Sequence, residues 1–213
     1  MKIVKKSFKH WTIRYLVNRV LEIIYIKTRP NEPWFTKQAN SILMLLLKKT
    51  DNGLEWGSGR STIWFAKRVA RLTSIEHNKK WYEIIASRLR NEHIENVTYL
   101  FFETEEQKDL NYNCEYIRII DKFPNNSLDF VRVDGIYRDL CAYSSVDKIC
   151  PGGLLILDDA HRYLPSNSIA PYAIPINGEP ASLIWKDFQK LVKNWRCIWT
   201  SDGVHDTAIF IKP

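Results

Sequence analysis

Apolar residues along the chain recur with two different periods, and the two alternate. Helical spacing marks "IRYLVNRVLEIIYI" and "WFTKQANSILMLLLKK", with Pro30 and Pro33 between them. A short apolar run, "GLEWG", then predicts a strand that enters a glycine turn, and "RSTIWFAKRVAR" follows as a helix. The same order repeats: strand "LTSIEH", helix "NKKWYEIIASRLRNEH" with Asn78 as its cap, strand "NVTYLFF". After a polar insert, "ETEEQKDLNYNCEY", come strand "LDFVRVD", helix "YRDLCAYSSVDKI", a "PGG" turn and strand "LLILDD". Strands alternating with helices of this length predict βαβ units, an α/β fold built on a doubly wound, mostly parallel sheet. The end of the chain departs from that order. Helix "ASLIWKDFQKLVKNW" leads into "WRCIWTSDGVHDTAIFIKP", which predicts an antiparallel hairpin at the sheet edge.

Composition adds two constraints. A chain of 213 residues, 45% hydrophobic and 26% charged, suits one soluble domain with a sizeable core. Residues 1–30 carry eight basic side chains and one acid, Glu22, which leaves 23 of each sign in the remaining 183 residues. The basic excess thus belongs to an N-terminal appendage, residues 1–29, ahead of a single domain at 30–213. The arginines in its apolar pattern argue against a membrane span, and no signal-peptide cleavage site follows. The appendage is expected to pack on the domain with its basic face in water, or to make peripheral contact with an anionic membrane or acidic partner. The balanced domain, with no RNA-binding motif, argues against nucleic acid. Cys114, Cys141, Cys150 and Cys197 lack metal or redox spacing and read as reduced core thiols of a cytoplasmic protein.

The stretch "LEWGSGRST" joins an acid to a glycine turn. Gly57 and Gly59 permit close backbone approach to a ligand, and the helix starting near Ser61 offers free N–H groups. Glu76 ends the next strand, where a carboxylate can accept from both hydroxyls of a ribose, with His77 beside it against a purine. A nicotinamide dinucleotide fits poorly, because Thr62 replaces the third glycine of its fingerprint and Glu55 would face a pyrophosphate. A nucleoside with a cationic end, such as S-adenosyl-L-methionine, suits Glu55 better.

"LEWGSGRSTIWFAKRV", "SIEHNKKWYEIIASRL", "LDFVRVDGIYRDLC" and "PGGLLILDD" resemble class I S-adenosylmethionine-dependent methyltransferases, in particular small bacterial-type enzymes. "PWFTKQA" and the C-terminal hairpin are similar to the same group, so the likeness covers residues 30–213. It implies a seven-stranded Rossmann-like sheet with an antiparallel last strand. It also implies cofactor contacts at Glu55, Gly57, Ser58, Gly59, Ser61 and Glu76.

Methyl transfer asks for alignment and for removal of a proton. The ends of the fourth and fifth strands offer Asp134, Tyr137 and Arg138, then Asp158, Asp159, His161 and Tyr163. His161 is the expected general base, with Asp134 and Asp158 assisting and His205 a weaker choice. Tyr137, Arg138 and Tyr163 are expected to bind the acceptor. Asp134, Asp158 and Asp159 resemble the Mg²⁺ ligands of metal-dependent O-methyltransferases; the other reading makes them orienting and capping groups. Arg132, inside an apolar strand, requires a carboxylate partner or a place near the strand end. "HRYLPSNSIAPYAIPINGEP" is expected to form an acceptor-binding lid.

The expected activity is O-methylation of a small molecule or glycan. The alternatives are an RNA or protein methyltransferase docking through the basic N-terminus, a non-catalytic cofactor-binding module, and a nicotinamide-dependent oxidoreductase.

Overall fold

The computed structural model describes residues 11–103 and 114–213. Most of the polar insert and the first ten residues, with Lys2, Lys5, Lys6 and Lys9, lie outside these. Seven strands form one sheet: β1 (Asn52–Trp56), β2 (Arg71–Glu76), β3 (Val97–Phe101), β4 (Leu128–Val133), β5 (Ile149–Asp158), β6 (Arg196–Ser201) and β7 (Asp206–Ile211). Their order is β3-β2-β1-β4-β5-β7-β6; β1 to β5 run parallel and β7 runs antiparallel to both neighbours. The order reverses between β1 and β4, where an open sheet of this kind presents its crevice.

Side-chain caps start the helices where the sequence supplies them. Thr12 accepts from the Tyr15 N–H to open α1 (Ile13–Thr28), and Thr36 accepts from that of Ala39 to open α2 (Lys37–Leu46). α3 spans Arg60–Ala66, α4 Lys79–Asn91 behind its Asn78 cap, α5 Glu115–Arg118, α6 Arg138–Ser145, and α7 Leu183–Leu191 behind Ser182. The apolar patterns overstate α2 and α3, which stop before their last charged residues. The "PGG" segment is not a turn: Pro151 to Gly153 lie within β5, beside a register irregularity against β4.

Alternating residues of each strand feed two cores. Leu54, Trp56, Val131 and Val133 pack with Tyr116, Trp185 and Phe188 on one face. Phe130 and Ile156 pack with Phe35, Leu43 and Phe65 on the other. Of the four cysteines, all free, only Cys141 is buried, so the expectation of core thiols holds for that one alone.

The N-terminal helix departs from expectation. α1 runs along the carboxyl edge of the sheet, where the Glu22 carboxylate meets His205 Nε2 at 2.9 Å and Arg60 Nη1 donates to the Ile26 carbonyl at 3.2 Å. Its buried residue is Glu22, and its aliphatic side chains point outward. The basic side chains Arg14, Arg19 and Lys27 are exposed as expected, and the aliphatic stripe, expected to pack on the domain, is exposed with them.

Candidate cofactor and acceptor site

Three register partners, Ser74 on β2, Glu55 on β1 and Arg132 on β4, form a polar row across the middle of the sheet. Glu55 is wholly buried. It accepts from Thr62 Oγ1 at 2.6 Å, Ser74 Oγ at 2.8 Å and Arg132 Nη1 at 2.9 Å, and from the Ser61 hydroxyl. Arg132 Nη1 also donates to the Gly57 carbonyl at 2.5 Å, and its second nitrogen pairs with Asp134. The carboxylate partner required for Arg132 is thus present twice over. Glu55 and the Ser61 hydroxyl bond to each other and, with Thr62, fasten the glycine turn from below, so a contact of Glu55 with a ligand would run through the turn.

The turn itself has no spare room. Gly57 has φ +87°, and a Cβ there would lie 2.8 Å from the Asp134 carbonyl carbon. A left-handed φ and that close approach both require glycine. Gly59 starts α3, and its N–H donates to Thr62 Oγ1 at 3.0 Å.

Glu76 closes β2 beside the turn. It accepts from the Ser58 N–H at 3.0 Å and hydroxyl at 2.6 Å, and from the N–H groups of His77 at 3.0 Å and Asn78 at 2.9 Å. Burial works to raise its pKa, but the hydrogen bonds from His77, Ser58 and Asn78 outweigh that and hold it below the ordinary value. Gly57, Ser58, Glu76, His77, Trp81 and Asp134 line one cavity of about 660 Å³, completed by Ile84, Gly135 and Ile136 among others. A second cavity, about 470 Å³, is lined by Tyr137, Arg138, Asp139, Tyr163, Ser182 and Trp185 and shares Gly135 and Ile136 with the first. Tyr137, Arg138 and Tyr163 are thus brought together, and Asp139 and Ser182 join them, with Ser182 Oγ donating to Asp139 at 2.8 Å. Neither stands out in the sequence; in the fold Asp139 is the first-turn acid of α6 and Ser182 the cap of α7.

Two of the five described non-glycine residues with left-handed backbone lie at strand ends here. Tyr137 (φ 49°) and Asp159 (φ 54°) follow the neighbouring strands β4 and β5. Such conformations cost on the order of 1–3 kcal/mol each and collect at functional sites.

The carboxylates expected to hold Mg²⁺ are otherwise engaged. Asp134 lies between Arg132 and Arg138, the latter at 2.6 Å. Asp159 pairs with Arg162 at 3.1 Å and His205 Nδ1 at 3.2 Å. Asp158 is buried, and burial together with Asp134 and Asp159 pushes its pKa well above the carboxylate range. Among the described residues, no group of three His, Cys, Asp or Glu is arranged to hold a metal ion. Two guanidiniums at the centre of the set make it a poor cation site, so Mg²⁺ does not fit. Asp158, with Thr207 Oγ1 at 3.3 Å, also lines neither cavity.

His161 is corrected too. It is fully buried under the segment that follows it, lines neither cavity, and its ring nitrogens find no hydrogen-bond partner among the described residues. Burial is the main cause that lowers its pKa, disfavouring the charged ring. The proline-rich segment expected as a lid contributes Tyr163 and Pro165–Ile169 to two different cavities.

Strand order, the reversed last strand and the turn after β1 decide the architecture. The fold is the class I methyltransferase fold. A methyltransferase from Geobacter sulfurreducens superposes with a TM-score of 0.54 at 12% identity, over 92% of this chain and 89% of that one. A SAM-dependent methyltransferase from Aquifex aeolicus gives 0.50 at 13%, over 92% and 97%. The SMU.1697c protein from Streptococcus mutans, solved with SAH, gives 0.52 at 9%, over 83% and 97%. No family model matches the sequence, and no curated protein matches it.

Proposed function

We propose that the protein transfers a methyl group from S-adenosylmethionine to a hydroxyl oxygen of a small molecule or glycan. The observation that carries this reading is the pair of adjoining cavities that share the Gly135–Ile136 wall at the carboxyl edge of the sheet. The first cavity suits the donor. Glu76 would accept from ribose hydroxyls in place of the Ser58 hydroxyl, and His77 would border the purine. Gly57 allows backbone approach, and Asp134, held between its two arginines, would border the donor without offering it a free charge. S-adenosylmethionine supplies a methyl activated on a sulfonium, so the chain needs mainly to align the acceptor and take its proton.

Tyr137, Tyr163 and Trp185 give the second cavity flat walls with polar tips, suited to a hydroxylated acceptor. Among the described residues, Asp139 is the one carboxylate lining it. As the acceptor oxygen bonds to the methyl carbon and the carbon–sulfur bond breaks, Asp139 receives the hydroxyl proton. Glu55 and Arg132 act through the turn and through Asp134, as positioning residues. SAH bound to the Streptococcus mutans protein of the same fold supports the donor assignment.

The test is a labelled methyl donor offered with a panel of sugars and hydroxylated small molecules. Label should appear on an acceptor oxygen, and Asp139→Asn should lower kcat by about 100-fold while leaving donor affinity unchanged. Label found only on RNA or protein, or S-adenosylhomocysteine failing to bind, would overturn the reading.

A further inference from the structure

α1 is inside out for a helix lying on a soluble domain, where the apolar stripe normally faces the core. Its inward contacts are polar: Glu22 with His205, Asn18 against Gly203, and Tyr25 with Asn40 at 3.2 Å. Its outward face presents Ile13 (83% exposed), Val17, Val20, Leu21 (59%) and Ile24, recurring at helical spacing, with Trp11 exposed at its start. Among the described residues these five aliphatic side chains are 52–83% exposed, and basic side chains accompany them. The first 30 residues hold eight Lys and Arg against one acid, and that acid is the residue turned inward to His205.

We propose that this face docks the protein on an anionic phospholipid bilayer, with α1 lying flat in the interface. An apolar stripe with cationic neighbours is the chemistry such a surface selects. The helix has 16 residues, so it is about 24 Å long, shorter than the hydrocarbon core. Among the described residues no helix is long and apolar enough to cross a membrane, which fits a helix that lies on the surface. Two other occupants fit less well. A second copy would bring two basic segments together, and nucleic acid would leave the aliphatic stripe unmatched. Because α1 contacts both His205 beside β5 and Arg60 at the glycine turn, docking would turn the carboxyl edge of the sheet, with its two cavities, toward the bilayer. The docking itself does not depend on methyl transfer.

The experiment is sedimentation of the full chain with vesicles, either of phosphatidylcholine alone or of equal parts phosphatidylcholine and phosphatidylglycerol. The chain should sediment with the mixed vesicles, and added salt should weaken the association. The paired substitution Val20→Asp, Ile24→Asp should reduce binding on the order of tenfold or more, while the melting transition stays unchanged because both residues are exposed. Arg14→Gln with Lys27→Gln should narrow the preference for the anionic vesicles. Any of three results would overturn the proposal. The wild-type chain stays in the supernatant with mixed vesicles; the aspartate pair binds as well as wild type; or the chain is a dimer that the aspartate pair splits, without vesicle binding.

Discussion

Glu55 and Arg132 stand opposite each other in register on β1 and β4, and their side chains meet at 2.9 Å inside the sheet. Neither is able to reach water, so each depends on the other and on the polar groups around the pair. Replacing Arg132 with Met leaves Glu55 with its hydroxyl donors but without its cation, and frees one side of Asp134. Breaking a buried pair in this way costs about 3–5 kcal/mol. The expected outcome is a large fall in the urea midpoint for Arg132→Met, partly recovered when Glu55→Gln is added. A midpoint close to wild type in the single variant would mean that the pair does not hold the turn.

Glu76 should report on the ligand more directly than Glu55. Removing its carboxylate leaves the Ser58, His77 and Asn78 donors and any bound ribose without their acceptor. Glu76→Ala is expected to weaken S-adenosylhomocysteine binding by about 1–3 kcal/mol, read by calorimetric titration. Equal affinity in the variant would take Glu76 out of the site.

The charges around Asp134 make a different kind of prediction. With Arg132 and Arg138 already paired to it, a divalent ion has no open anionic position there. Turnover should survive exhaustive chelation, and added Mg²⁺ should not raise it. Activity lost on chelation and restored by Mg²⁺ would place a metal where the geometry argues against one.

What the sequence revealed and what it hid follow from the same physics. Period and cap located the strands and helices, because alternation and the Asn78 side chain act locally. Burial is not local. The spacing from Glu55 to Gly57 is the same whether the carboxylate faces a ligand or the hydroxyls of Ser61, Thr62 and Ser74, and only the folded sheet decides between them. The stripe on α1 was legible, but not which side of it would pack, since that depends on His205 and Asp159 far along the chain. His161 was the expected general base because it follows a strand end among polar residues; the segment after it folds back, with the Ile174 N–H donating to the His161 carbonyl. Arg132 was the reverse case. A lone cation in an apolar strand has few tolerable environments, so its need for a carboxylate could be stated in advance.

His205 ties α1 to the domain in a way that pH can loosen. Burial disfavours its charge, but hydrogen bonds and attraction from Asp159 and Glu22 outweigh this and push its pKa up to about 10. Arg19 pairs in turn with Glu22, Arg162 with Asp159, and the buried His161 lies nearby with its charged form disfavoured. A group raised above its unfolded value of about 6.5 stabilises the fold fully below that pH. The contribution then fades as pH rises through the folded value. His205→Asn removes the charge and leaves the two carboxylates facing each other. The variant should be less stable than wild type by about 1.5–3 kcal/mol near pH 6, the range for hydrogen bonds to charged groups. The gap, measured by urea unfolding at a series of pH values, should close as pH approaches and passes about 10. A gap that stays constant across that range would show that His205 does not bind α1 as an imidazolium.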